Sequence, residues 1–257
     1  MDLSNLARHP GLKGKTVFVT GGGSGIGAAI VESFVDQSSR VAFVDIDEKA
    51  STALVAALKA QYGVAPLFIP CDIKDIAALQ AAVTRAGKEL GDIAVLVNNA
   101  ANDTRHKWQD VTPEYWDDRI AINLRHQFFA IQSVVPQMQR LGGGSIVNFG
   151  SISWKIGQGG MPGYSAAKAA VHGLTRSVAR DLGTLNIRVN TVLPGWVLTE
   201  RQKTLWLTPE ADKDRERAQC LKAGVQPVDL ARMVLFLASE DSRMCTSQEF
   251  TVDGGWI

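Results

Sequence analysis

Apolar positions along this chain fall into two alternating kinds of segment. Short, β-branched, almost uninterrupted runs lie at TVFVT (16–20), RVAFVD (40–45), PLFIPCD (66–72), IAVLVNN (93–99), SIVNFG (145–150), RVNTVLP (188–194) and EFTVDG (249–254). Between them come Ala-rich or amphipathic stretches at 25–37, 48–61, 74–90, 113–140, 163–183 and 227–239. Runs of the first kind predict strands buried on both faces, as a parallel sheet requires, and the stretches predict helices. The alternation implies an α/β fold, a single doubly wound, seven-stranded parallel sheet with helices on both faces. Thr112-Pro113-Glu114 predicts a helix start, with a hydroxyl cap, proline at the first position and an acid in the first turn. Pro136 is expected to kink that helix or end it early. The charged stretch 194–226, with two tryptophans, breaks the rhythm and predicts a lid on one domain spanning 1–257.

Bulk composition narrows the classes of function. The chain has 257 residues, 46% of them hydrophobic, enough to fill one large core. Its 27 basic and 26 acidic residues leave a net charge of +1, which offers no broad footprint for nucleic acid or an anionic membrane. Cys71, Cys220 and Cys245 form no CxxC pair, so a disulfide framework or zinc site is not expected, and a reducing compartment fits. No run reaches the roughly 18 apolar residues of a membrane span, and the N-terminal residues do not read as a secretory signal. The expected location is the cytoplasm. No histidine has a partner at metal-ligand spacing, so no metal is expected.

The first strand runs into Thr20-Gly21-Gly22-Gly23-Ser24-Gly25-Ile26-Gly27, which opens the first helix. Gly21, Gly25 and Gly27 permit a tight turn and let backbone approach a pyrophosphate, while the helix N-terminus presents N–H groups to negative charge. This is the phosphate end of a Rossmann-type dinucleotide site. No lysine follows the last glycine, which excludes a triphosphatase loop. The second strand ends in Asp45, Ile46 and Asp47; a carboxylate there accepts hydrogen bonds from ribose hydroxyls and repels a 2′-phosphate, favouring NAD over NADP. Asp47 suits a helix cap better, so Asp45 is assigned to the ribose. Asp72, followed by Ile73, either meets the adenine edge or serves as a turn residue.

Tyr164 and Lys168 are four residues apart on a predicted helix and so face one side, flanked by small residues. Ser151 lies just past the fifth strand, at the sheet edge where such folds bind ligands. A free phenol titrates near 10, too high for a base at neutral pH; an ammonium within about 4–6 Å, aided by a positive nicotinamide ring, favours the phenolate.

These elements together resemble the short-chain dehydrogenase/reductase family, from about Lys13 onward. The matching motifs are TGGGSGIG (20–27), Asp72, NNA (98–100), Asn123, Ser151, YSAAK (164–168) and PGWVLT (194–199). The resemblance implies that Tyr164 is the acid/base, Ser151 orients the substrate oxygen, Lys168 bridges the cofactor ribose and Asn123 holds a relay water. It implies nucleotide contacts from Gly21, Ser24, Gly25, Ile26, Gly27, Asn99, Ala100, Ala101, Pro194 and Gly195. Val197 and Thr199 are implied to hold the nicotinamide carboxamide and phosphates. The family's NNAG reads Asn98-Asn99-Ala100-Ala101 here, putting a methyl near the nicotinamide. A homotetramer is also implied.

Within that family the chain is most similar to the sugar (D-xylose-type aldose) 1-dehydrogenases, in the stretches 102–126, 148–154, 218–222 and 244–256. This implies oxidation at C1 of a cyclic aldose to an aldonolactone. Asn102, Ser153, Trp154 and Trp196 lie next to the catalytic elements and could supply the amide, hydroxyl and flat apolar wall of a sugar pocket beside Ser151 and Tyr164. Trp154 and Trp196 could equally seal the lid, and Asn102 could satisfy backbone. Arg105 and His106 read as loop anchors, Asp117, Asp118, Arg125 and His126 as packing or subunit contacts, and Cys220 as packing. The competing reading is a dehydrogenase or reductase of another alcohol or ketone, such as a polyol, a 3-oxoacyl thioester or a steroid. A non-catalytic nucleotide-binding regulator would lack Ser151, Tyr164 or Lys168, and all three are present.

Overall fold

Alternate side chains of the first strand, β1 (Thr16–Thr20), leave the sheet on opposite faces. Val17 and Val19 join one buried cluster and Phe18 the other, so a continuous apolar run serves two cores at once. The computed structural model describes residues 7–257; residues 1–6, which the expected domain includes, lie outside the described residues. The remaining strands are β2 (Arg40–Asp45), β3 (Leu67–Pro70), β4 (Ile93–Asn98), β5 (Gly144–Phe149), β6 (Ile187–Pro194) and β7 (Glu249–Val252). They form one sheet in the order β3-β2-β1-β4-β5-β6-β7, with every pairing parallel. The order reverses between β1 and β4, which opens a crevice beyond the carboxyl ends of the strands.

The helices are α1 (Gly25–Asp36), α2 (Glu48–Tyr62), α3 (Ile76–Leu90), α4 (Pro113–Ile120), α5 (His126–Arg140), α6 (Pro162–Leu182), α7 (Glu200–Leu205), α8 (Pro209–Ala218) and α9 (Pro227–Ala238). Ile30 and Phe34 of α1 pack with Leu230, Val234 and Leu235 of α9 on one face. Leu79 and Val83 of α3, Ile131, Val134 and Met138 of α5 and Val178 of α6 cover the other. The starts are chemically marked: Asp47, Asp75 and Thr112 each accept from a backbone N–H in the first turn of α2, α3 and α4. Among the described residues no helix is long and apolar enough to cross a membrane.

Three expectations need correction. The helix expected over 113–140 is interrupted at Ala121–Arg125 by a π-turn, and not at Pro136. Pro136 lies inside α5, which continues to Arg140. Its ring costs the bond to the Gln132 carbonyl, but both residues are exposed, so water can take that acceptor. Strands expected at 66–72 and 249–254 end at Pro70 and Val252. Past β7 the Asp253 carboxylate accepts from Gly255 N (2.8 Å) and Ile257 N (3.0 Å), which turns the chain away from the ladder. Cys220, expected to pack, is exposed, with its N–H on the Gly255 carbonyl at 3.1 Å.

A polar ladder fixes the sheet's carboxyl end. Asn98 and Asn148, register partners on β4 and β5, share a hydrogen bond of 2.9 Å. Asn148 then donates to Thr175 Oγ1 of α6 (3.0 Å), which also receives the Thr191 hydroxyl of β6 (2.8 Å). All four are buried, so the ladder sets where α6 lies against three strands.

Candidate active site

The glycine turn is locked from behind by the end of β4. Asn99 Nδ2 donates to the carbonyls of Thr20 (3.0 Å) and Gly21 (2.9 Å), and Thr20 Oγ1 accepts from Asn99 N and Ala100 N, both at 3.1 Å. Gly21 has φ +66, and a Cβ there would lie 2.8 Å from Ala100 Cα. A Cβ at Gly27 would lie 1.8 Å from the Gly21 carbonyl oxygen. Ser24 caps α1 by backbone alone, without a side-chain cap bond. Thr199, the cap of α7, stands with its methyl 3.3 Å from the Cβ position of Gly25, so the base of the 194–226 segment meets the turn. Such a cradle, filled by any added Cβ and facing a helix N-terminus, fits a dinucleotide's diphosphate.

At the tip of β2, Asp45 Oδ2 accepts from Gly23 N at 2.8 Å and Oδ1 from Asp47 N at 3.0 Å. Asp47 caps α2, dividing the two acids as their positions suggest. Ile46 beside them is exposed. Asp72 accepts from Lys74 N (2.9 Å) in a tight turn after β3, with Ile73 buried next to it. Ala100 is buried and Ala101 exposed. At the end of β6, Gly195 leaves no room for a Cβ, which would lie 2.6 Å from Asp253 Cα; Val197 then bridges to Val225, closing the segment's base.

The reactive groups gather where β5 meets α6. Lys168 is fully buried and donates to the Phe149 carbonyl at 2.7 Å; its Nζ lies 5.8 Å from the Tyr164 ring centroid. Ser151 follows that strand by two residues and its hydroxyl accepts from Ser153 N at 3.1 Å. Burial holds the Tyr164 phenol well above its ordinary value, the Ser151 hydroxyl opposes this and the Asp103 charge adds to it. Burial also pushes the Lys168 ammonium down to about 7, against the pull of Asp103. Desolvation disfavours the charged form of each group.

Asn123 sits in the π-turn, fully buried. Its Oδ1 accepts from Asn102 N (2.9 Å), and its Nδ2 donates to the carbonyls of Asn102 (3.2 Å) and Arg119 (3.0 Å). Its side chain is thus used to clamp the loop after β4. Its own carbonyl receives a long 3.5 Å contact from Gln127 Nε2, and π-turns are frequent at functional sites.

The four sugar-pocket candidates separate. Ser153 is buried, its hydroxyl 3.5 Å from that of Ser165 on α6, and Asn102 Oδ1 is taken by Thr104 N. The Trp154 indole donates to His172 Nε2 (3.2 Å), whose other nitrogen pairs with Glu249, so this ring is held by α6 and β7. Trp196 donates to Gln202 Oε1 (2.9 Å) within the 194–226 segment. Arg105 anchors as expected, lying 4.8 Å over the Trp206 ring, and His106 Nδ1 meets the Tyr115 hydroxyl at 3.0 Å.

Sequence reading missed Asp103 and Gln202, and gave His126 only as a packing or subunit contact. Asp103 bonds to Gln202 across the crevice, and His126 is buried with both ring nitrogens unpartnered. Burial, and next the Lys168 charge, push His126 down to about 3, so it is neutral. Only the position of Asp103, four residues past Asn99, hinted at its place; Gln202 carries no sequence signal of its own.

A family model described as Enoyl-(Acyl carrier protein) reductase matches residues 21–257. The chain belongs to the short-chain dehydrogenase/reductase family. It is 50% identical over 249 residues to the "Probable galactose dehydrogenase GalD" of Rhizobium meliloti, covering 97% of each chain. It is 48% identical over 250 residues to the D-xylose 1-dehydrogenase of Caulobacter vibrioides, covering 97% of this chain and 98% of that one. A solved 7α-hydroxysteroid dehydrogenase, complexed with NADH and 7-oxo glycochenodeoxycholic acid, superposes with a TM-score of 0.90 at 32% identity, covering 99% of this chain and 98% of that one. As a member of this dehydrogenase family the chain is an oxidoreductase.

Proposed function

We infer that the protein oxidises C1 of a cyclic aldose, a pentose or hexose, to an aldonolactone with NAD. The observation that carries this reading is the near-full-length likeness, at 48–50% identity, to two enzymes both named for sugars. The buried Tyr164–Lys168 pair beside Ser151 supplies chemistry suited to that reaction.

Bound NAD supplies the two-electron acceptor for the hydride leaving C1. Gly21, Ser24, Gly25, Ile26 and Gly27 would receive its diphosphate, Asp45 and Ile46 the ribose end, and Asp72 and Ile73 the adenine. Asn99, Ala100, Ala101, Pro194, Gly195, Val197 and Thr199 would line the nicotinamide half. Ser151 donates to the anomeric oxygen and fixes it beside the phenol. Tyr164, as phenolate, takes the hydroxyl proton while the C1–O bond becomes a carbonyl. Lys168 favours that phenolate, and the Asn123 carbonyl is suited to hold a water that carries the proton outward. Asp45 supports NAD over NADP, because its carboxylate stands where a 2′-phosphate would bring like charge.

The family model's name raises the thioester alternative. A carrier-bound acyl group calls for unpaired basic residues at the mouth. Of the six basic residues in the 194–226 segment, Lys203 pairs with Glu200 (2.9 Å), Arg215 with Asp212 (2.7 Å), Arg217 with Asp214 (3.2 Å) and Arg201 with Asp103 (3.4 Å), and Lys222 donates to the Glu216 and Gln219 carbonyls, leaving Lys213 without an acidic partner among the described residues; this balance favours a neutral substrate. We also infer that this segment acts as a lid, and that half-exposed Trp116 and Phe128 belong to the contact surface of a homotetramer, which light scattering would measure.

The test is a panel of pentoses and hexoses with NAD and NADP, followed by absorbance of the reduced nucleotide. Turnover of at least one aldose with NAD is expected. No turnover of any sugar, with turnover of a steroid, polyol or thioester, overturns the reading.

A further inference from the structure

One chain of hydrogen bonds joins the two loops that face each other across the crevice. The Trp196 indole donates to Gln202 Oε1 at 2.9 Å, and Gln202 Nε2 donates to Asp103 Oδ2 at 2.6 Å. Arg201 Nε lies 3.4 Å from Asp103 Oδ1, and its Nη2 lies 3.4 Å from the Thr104 hydroxyl. Arg201 and Gln202 stand on α7; Asp103 follows Asn102, whose backbone N–H and carbonyl are both gripped by Asn123. The Asp103 charge also raises the proton affinity of Tyr164 and of Lys168.

We propose that Asp103, bracketed by Gln202, is the residue that reads the sugar, its carboxylate accepting hydrogen bonds from neighbouring ring hydroxyls. The proposal rests on the aldose reading above and narrows it to uncharged sugars with intact hydroxyls. An ionised carboxylate has about four acceptor positions, and Gln202 and Arg201 use two. A vicinal diol can take the others. A uronate or sugar phosphate would bring like charge to this carboxylate, and a substrate without those hydroxyls would leave it desolvated and under-partnered. Gln202 uses one end of its amide on Trp196 and the other on Asp103. A sugar held by Asp103 therefore adds to the same chain that holds α7 down.

The experiment compares wild type, D103N and D103E at saturating NAD, using D-xylose, D-galactose and their monodeoxy analogues, with nucleotide affinity read by protein fluorescence. In D103N, KM for the parent sugar should rise about tenfold or more, as expected for losing a hydrogen bond to a charged group, with kcat changed far less. Discrimination between the parent and the deoxy analogue lacking the held hydroxyl should collapse in the same variant. Unchanged discrimination overturns the proposal, and so does a common rise in KM for every sugar, which is the signature of a latch alone. Should D103N lose nucleotide binding through misfolding, D103E decides, since it keeps the charge and moves it outward by one methylene. Altered discrimination in D103E supports the assignment, and wild-type discrimination refutes it. A wild type that oxidises no aldose defeats the parent reading itself, before any variant is compared.

Discussion

Lys168 gives its ammonium to the carbonyl of Phe149, 2.7 Å away and two residues before Ser151. The same helix that carries Tyr164 is thereby pinned to the strand that carries Ser151. The buried ladder from Asn98 through Asn148 and Thr175 to Thr191 reinforces the link. Lys168 is in this sense both a structural tie and a buried charge, and the two roles have opposite effects on stability.

Replacing Tyr164 by Phe removes the hydroxyl proposed as proton acceptor and little else. Turnover should fall by about 10²–10⁴-fold, the usual range for a lost acid/base group. Nucleotide affinity, measured by fluorescence titration, should stay within about threefold, because the cradle at Gly21–Gly27 does not depend on the phenol. Undiminished turnover would exclude Tyr164 from the chemistry.

The pH profile follows from burial of the phenol. Tyr164 is held above its ordinary value, so its deprotonated form grows as pH rises. Sugar oxidation at low substrate should therefore accelerate from neutral pH into the alkaline range, tenfold per pH unit at the steepest. A rate that is flat or falls over that range would show that another group limits the reaction.

Lys168→Met should separate stability from activity. The folded-state lysine, pushed down to about 7, lies below its unfolded value, so the unfolded chain binds the proton more tightly. The destabilisation is full below about pH 7 and fades as pH approaches roughly 10.4, the ordinary lysine value. Nucleotide-free K168M should gain in Tm at pH 6 and gain less at pH 9, while turnover is lost. Equal Tm changes at the two pH values would contradict the burial argument.

Asp45→Asn keeps the shape at the tip of β2 and removes the charge. Losing charge-assisted bonds should raise KM for NAD by about 10–100-fold. Relief of repulsion should bring NADP closer to NAD, so the ratio of kcat/KM for the two nucleotides is the quantity to measure. An unchanged ratio would remove Asp45 from nucleotide choice. Its bond to Gly23 N makes a fall in thermal stability a companion outcome.

Strand and helix order, the glycine turn and the Tyr164–Lys168 spacing were legible because each is local. A run of apolar residues, a cap at Thr112 or a four-residue interval on a helix is set by neighbours in sequence. The capping of α2 by Asp47 was legible for the same reason. The π-turn at Ala121–Arg125 was not, since its residues follow an ordinary helical pattern and the register slips only where Asn123 grips the loop after β4.

What the sequence by itself determined, then, was the α/β alternation, the glycine turn and the placing of Tyr164 and Lys168 on one helix. The tertiary structure decided their electrostatics and their company. Burial is a property of packing, so only the folded chain could raise the Tyr164 phenol and lower the Lys168 ammonium from their ordinary values. Likewise Asp103 and Gln202 are 99 residues apart and meet only because the loops after β4 and β6 close over one crevice.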